Sequence, residues 1–382
     1  MFDSLIRFVR EQYRTDEFIP LHAPVFRGRE RELVLDTIDS TFVSSVGTYV
    51  DLFEKDMAAF TASPRAVAVM NGTAALHIAL KLVGVIQGDL VVTQSLTFVA
   101  TSNAIAYCDA EPLFIDVDRH TLGLSPTALD AWLSDHALID NHGDCRTRAG
   151  HRRIRACLPM HTFGHPVELN ALIEVCERWH LVLVEDAAES LGSYYKGRHT
   201  GTLGRIGVLS FNGNKIMTTG GGGMLLTDEA IGTRAKHLTT TAKVPHPYEF
   251  IHDEIGYNYR LPNLNAALGC AQLEQLPAFL ESKRALAARY IEHFKGSDLQ
   301  PIVEPKGCHS NYWLNGVVCQ DAKQRDALLN ATNGAGVMTR PIWALMNRLP
   351  PYAQSLRGPL INAEWLEARV VNLPSSVLPS GA

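Results

Sequence analysis

The chain lacks the marks of several protein classes. No C-x-x-C pair occurs, and the seven cysteines, Cys108, Cys145, Cys157, Cys176, Cys270, Cys308 and Cys319, are odd in number. Several sit inside apolar runs, as reduced core cysteines do. This argues against a disulfide framework or a cysteine-ligated structural zinc, and for a reducing compartment. No run of about 18 apolar residues is present to span a bilayer. Met1 to Arg14 carries charges throughout, unlike a signal peptide. A cytoplasmic protein without a membrane partner is expected. An excess of one charge is also missing. The formal net charge is −5, with acids and bases mixed and no basic tail or stripe, so nucleic acid is not an expected partner. The short basic cluster His151-Arg152-Arg153-Ile154-Arg155 reads as a solvated loop. No carboxylate–histidine cluster reads as a metal site, and no metal is expected. No G-x-S-x-G elbow, Walker loop or G-x-G-x-x-G fingerprint occurs.

What is present is an ordinary globular composition, 382 residues with 46% hydrophobic. A core of that size needs no staple. Leu35, Ile38 and Phe42 follow helical spacing. Short apolar runs predict strands at 66–70, 90–93, 112–117, 154–160, 181–185, 206–211 and 223–227. Helices are predicted after several of them: one with Leu76, Leu80 and Val83 on a face, one over 97–107, and one marked by Leu169, Leu172, Ile173 and Cys176. A loop is expected over 134–151. Alternating elements with continuous apolar strands imply an α/β fold with a mostly parallel sheet covered on both faces. The remainder reads as a smaller α+β part. It has a long helix over 263–294 that Pro277 should break or kink, a strand over 312–319, and helices over 322–329 and 363–371. The division expected is a large domain over 1–245 and a smaller one over 246–382.

In such sheets ligands bind beyond the carboxyl ends of the strands, and four short stretches fall there. Asn71-Gly72-Thr73 opens a helix, where amides and dipole attract an anion; its bland reading is an ordinary capped helix start. Phe98 follows the second strand and has the flat ring to stack on a cofactor, although a core phenylalanine is the commoner case. Asp186 ends the strand 181–185. It suits a protonated ring nitrogen or a plain helix cap. Lys215 follows Ser210 and precedes the glycines 220–223. A lysine in a partly desolvated site can condense with an aldehyde, but most lysines beside glycine runs are surface residues. Each signal is modest alone.

Taken in order, these stretches resemble the DegT/DnrJ/EryC1/StrS family of pyridoxal-phosphate (PLP) sugar aminotransferases. The matching marks are Asn71-Gly72-Thr73, Thr97-Phe98-Val99-Ala100-Thr101, Glu185-Asp186-Ala187-Ala188, Ser210 to Lys215, and Gly256-Tyr257-Asn258-Tyr259-Arg260-Leu261-Pro262. The resemblance covers roughly 21–373 and implies the type I (aspartate aminotransferase) PLP fold. It implies Lys215 as the Schiff-base lysine and proton shuttle, Asp186 on the pyridine nitrogen and Phe98 stacked on the ring. Gly72, Thr73 and Ser210 would hold the phosphate. Glu189 falls where glutamine is frequent, near the ring's 3-hydroxyl. Asn258 would reach the phosphate of a neighbouring subunit, so a homodimer with shared active sites is implied. Longer strings, among them Met160-His161-Thr162-Phe163-Gly164-His165-Pro166, resemble the branch aminating nucleotide-linked 4-keto-6-deoxy-N-acetylhexosamines, the bacillosamine and legionaminic-acid type, with L-glutamate as donor. Val46, His161, Arg260 and His309 are nominated for substrate contacts. The alternative is a dehydratase-type or non-catalytic relative; the former commonly lacks the lysine that is present here.

Overall fold

The structure, a computed structural model, describes residues 2–379. Seven strands form the main sheet: β1 (Arg65–Val69), β2 (Leu90–Gln94), β3 (Glu111–Ile115), β4 (Ile154–Cys157), β5 (Val182–Asp186), β6 (Ile206–Ser210) and β7 (Gly223–Thr227). Their order is β1-β7-β6-β5-β4-β2-β3. All neighbouring pairs are parallel except those of β7, which runs antiparallel to both β1 and β6. The fold is thus α/β with a mostly parallel sheet. Continuous apolar strands follow from burial on both faces. Val67 and Val69 of β1 pack with helices α4 (Gly72–Leu82) and α5 (Val99–Ala106). Ala66 and Ala68 face the other way, onto α3 (Thr48–Thr61) and α9 (Asn263–His293). Further along, α6 (Pro126–His136) and α7 (Leu169–Arg178) cover β2, β3 and β4 through Leu129, Leu133, Leu169 and Leu172.

A second, antiparallel sheet has the order β8-β9-β11-β10, from β8 (Gln300–Pro301), β9 (Asn315–Val318), β10 (Arg340–Pro341) and β11 (Val370–Leu373). Helix α1 (Asp3–Tyr13) begins the chain yet packs here: Phe2, Leu5 and Val9 meet Leu286, Tyr290, Val317 and Val371.

Several expectations are corrected. The predicted helix 363–371 is α11 (Ile361–Glu367) followed by a strand, because Val370 and Val371 pair with Val318 and Val317 in the sheet. Pro277 does not end α9. It lies on the exposed side between buried Leu276 and Phe279, and the helix continues to His293. The loop expected over 134–151 contains the end of α6 and a hairpin of Ala137–Ile139 with Cys145–Thr147. Helix α6 itself opens on a cap: Ser125 Oγ accepts from Ala128 N at 3.2 Å, with Pro126 in the first turn. In α2 (Glu30–Asp39) the helical spacing is real, but Leu35 and Ile38 are 55% and 51% exposed. The helix buries Leu33 and Thr37 instead.

Candidate active site

A cavity of ≈ 330 Å³ opens at the carboxyl ends of β5 and β6, beside the start of α4. That lies in the range of small-molecule sites. Gly72, Thr73, Phe98, Asp186, Glu189, Ser210 and Lys215 all line it. Seven of the residues read from the sequence therefore converge.

The floor is a buried carboxylate. Asp186 Oδ2 accepts from Thr101 Oγ1 at 2.7 Å, and Oδ1 from the amide of Ala188 at 3.2 Å. Since Thr101 spends its proton on Asp186, Thr97 Oγ1 must donate to Thr101, at 2.9 Å. Burial raises the Asp186 carboxyl above its ordinary value, against the hydrogen bonds of Thr101 and Ala188 and the charge of Lys215. A carboxylate desolvated in this way gains most from a cationic N–H donor.

Above it, Lys215 Nζ lies 3.5 Å from Glu189 Oε1 and 4.1 Å from the centroid of the Trp313 ring. Glu189 is itself fixed, its Oε2 accepting from Phe163 N at 2.9 Å. Burial pushes its carboxyl up to about 7, opposed chiefly by Lys215.

One wall is built for an anion. Asn71 caps α4, with Oδ1 accepting from Ala74 N at 2.8 Å. A Cβ at Gly72 would stand 2.9 Å from Ser210 Cβ, so only glycine lets the helix start approach β6. A Cβ at Gly223 would come 2.5 Å from the Asn71 carbonyl oxygen. Free amides of the first helical turn, with the hydroxyls of Thr73 and Ser210, suit a phosphate. Phe98, 48% exposed, stands at the same cavity.

The remaining nominees lie elsewhere. His161 does not line the cavity. It is fully buried, with Nε2 3.1 Å from Glu185 and Nδ1 accepting from Val167 N at 3.2 Å, which makes it an Nε2–H tautomer. Glu185 is buried as well, and His161 with the amides of Gly204 and Gly201 holds its carboxyl below the usual range despite that burial. Through Glu185, which accepts from the amides of Gly201, Leu203 and Gly204, the pair braces the turn before β6. Val46 is 68% exposed, and His309 lies on the two-residue strand Cys308–His309 beside Tyr194. Asn258 and Arg260 are exposed, hydrogen-bonded to each other at 3.1 Å. They follow a segment whose Tyr248, Phe250 and Ile255 are 81%, 82% and 85% exposed. His237, Asp253 and Glu254 come close enough to share an ion. Arg234, however, already pairs with Glu254 at 2.6 Å, so the cluster works as a latch between α8 (Glu229–Thr239) and this segment.

Sequence reasoning missed Trp313 and Trp343, which also line the cavity, and Thr101, which holds Asp186. Neither tryptophan follows a strand of the main sheet. Thr101 lies in the same motif as Phe98, three residues beyond it.

Residues 25–380 match the sequence profile of the DegT/DnrJ/EryC1/StrS aminotransferase family. The chain is 35% identical over 360 residues to a GDP-perosamine synthase of Escherichia coli O157:H7, covering 94% of this chain and 93% of that one. It is 37% identical over 348 residues to a "putative pyridoxal phosphate-dependent aminotransferase EpsN" of Bacillus subtilis (strain 168), covering 88% and 84%. Among solved structures, the aminotransferase TlmJ from Streptoalloteichus hindustanus superimposes with a TM-score of 0.84 at 30% identity, covering 94% and 93%.

Proposed function

The chain belongs to the DegT/DnrJ/EryC1/StrS aminotransferase family, and we propose that it carries an amino group from L-glutamate to C4 of a nucleotide-linked 4-keto-6-deoxy sugar. PLP is its cofactor. The observation that carries the reading is the single cavity bringing together Lys215, Asp186, Glu189 and the Gly72–Thr73–Ser210 cradle.

These residues fit that cofactor. Its phosphate matches the cradle, where a Cβ at Gly72 would clash, and its ring nitrogen matches the buried Asp186. When bound, PLP supplies an electron sink conjugated to the carbon that loses or gains the amine. Lys215 is the attachment point for its aldehyde. Once free, the Lys215 amine takes the proton from the α-carbon of glutamate. In the return half it gives a proton to C4 of the sugar, which requires Nζ within ~3 Å of either carbon. Asp186 would hold the proton on the pyridine nitrogen, Phe98 would supply the flat face for the ring, and Glu189 would serve its 3-hydroxyl. Arg260, Val46 and His309 lie outside this cavity, and as substrate contacts they belong with the next subunit. The protein is then a homodimer in which Asn258 reaches the partner's phosphate. The division at residue 245 is part of the same proposal, with α1 crossing to the smaller part.

Two acceptors compete. The strings around His161 and Asn258 favour an N-acetylated sugar, whereas the GDP-perosamine synthases among the relatives favour a GDP-linked one. The test is turnover with glutamate against UDP-, GDP- and dTDP-linked 4-keto sugars, with product stereochemistry determined. Wild type should aminate at least one. Lys215→Ala should lose turnover and the visible cofactor band, and normal turnover in that variant would sink the proposal.

A further inference from the structure

Trp313 reaches the cavity from outside the main sheet, and its indole N–H, backbone N–H and carbonyl are all hydrogen-bonded. Its backbone N–H donates to Asn311 Oδ1 at 2.8 Å. Its Nε1 donates to the carbonyl of Asn214, the residue before Lys215, at 2.7 Å. Its carbonyl accepts from Lys283 Nζ at 3.0 Å. Asn311 in turn donates to the carbonyls of Glu189 and Leu191, each at 2.9 Å. The segment pays for this with backbone strain: Tyr312 sits at φ 47°, a left-handed conformation that bulky residues avoid. Such an outlier persists only where its surroundings over-determine it, and it clusters with function.

Lys283 is the unusual member. It lies fully buried on α9, and its amine donates to two carbonyls, those of Trp313 and Ser375. A neutral amine has two N–H groups, so two acceptors satisfy it. Burial lowers it to about 7. His22 lies within electrostatic reach of both Lys283 and Lys215; burial keeps it well below its ordinary value, so it adds no charge.

We propose that Trp313 and Lys283 are positioning residues for the catalytic lysine. The indole face seats the Lys215 amine opposite Glu189, and Lys283 locks that indole by holding its carbonyl against Ser375. The role in catalysis rests on the PLP reading above; the seat itself does not. A cation over an aromatic face gains enough to hold a flexible side chain in one place.

The test compares Trp313→Leu, Trp313→Phe and Lys283→Met. In the full-length chain without cofactor, a short acylation pulse is read at the Lys215 peptide against exposed Lys295. Losing the seat should raise Lys215 labelling roughly threefold or more in Trp313→Leu and Lys283→Met, with Lys295 unchanged. In the loaded enzyme, both should lose about half or more of the circular dichroism per unit of cofactor absorbance. Their kcat should fall about tenfold or more with little change in the glutamate KM. Trp313→Phe keeps a ring face and should recover most of each signal, and it serves if a harsher variant does not fold. Unchanged labelling and dichroism in folded Trp313→Leu and Lys283→Met overturn the proposal. Absence of any cofactor band in the wild type would instead overturn the PLP reading, and the labelling experiment would still decide the seat.

Discussion

The carboxyl of Glu189 is buried beside the Lys215 amine, and burial pushes it up to about 7. A carboxyl raised above its unfolded value of 4.5 binds its proton more tightly in the folded chain. As pH rises from 4.5 toward 7, the unfolded chain ionises first, and this group erodes stability until pH passes the folded value. Glu189→Gln keeps an acceptor for Phe163 N and removes the titration. In the cofactor-free chain the variant should match wild type near pH 4.5 and exceed it at pH 8 by up to about 3 kcal/mol. Urea unfolding at both pH values checks this, and an equal gap at both would refute it. Asp186, Lys215 and the glycine cradle were legible in the sequence because each lies at or just beyond the carboxyl end of a strand of the main sheet. Trp313 was not, since it arrives by a long-range contact that no local spacing encodes. His161 was legible as a residue after a strand but not as a buried partner of Glu185; that depends on the turn at 201–204 folding back to bond the same carboxylate.

At the scale of elements, α9 poses the clearest test. Its 31 residues run through Pro277. Proline removes one backbone N–H and crowds the preceding turn. The packing of Leu276 against one core and of Leu286 and Tyr290 against another outweighs that cost. Because Pro277 is exposed, replacing it removes no core contact. Pro277→Ala should therefore stabilise the chain, by about 1–3 kcal/mol. A lowered urea midpoint would mean that the ring packs against something and refute the argument. The same competition explains what was legible in the fold. The strands of the main sheet were readable because burial on both faces makes each a continuous apolar run. Val370 and Val371 were misread as helical because a short apolar run has no period of its own, and only pairing with Val317 and Val318 decides it.

Across the whole molecule, large apolar side chains stand in solvent on two stretches far apart in sequence. Leu35, Ile38, Phe42 and Val46 project from α2 and the turn after it, and Tyr248, Phe250 and Ile255 from the segment latched to α8. Surfaces of this kind mark contacts with another chain. A two-fold dimer would cover the same patch on both copies. Asn258 and Arg260 sit at the base of the latched segment, outside the cavity of their own chain. If each cavity is completed by the partner's Asn258, then Lys215 and Asn258 of one active site belong to different chains. Two crippled variants should then rescue each other. Lys215→Ala and Asn258→Ala subunits, unfolded together and refolded as a mixture, give heterodimers in which one site has both residues intact and the other has neither. With random pairing, half the dimers are mixed and half of their sites are whole, so activity should return to about a quarter of wild type. Each variant refolded alone should stay far below that level. A mixture no more active than the sum of its parts would place Asn258 with the Lys215 of its own chain, or outside the site altogether, and the shared-site dimer would fall.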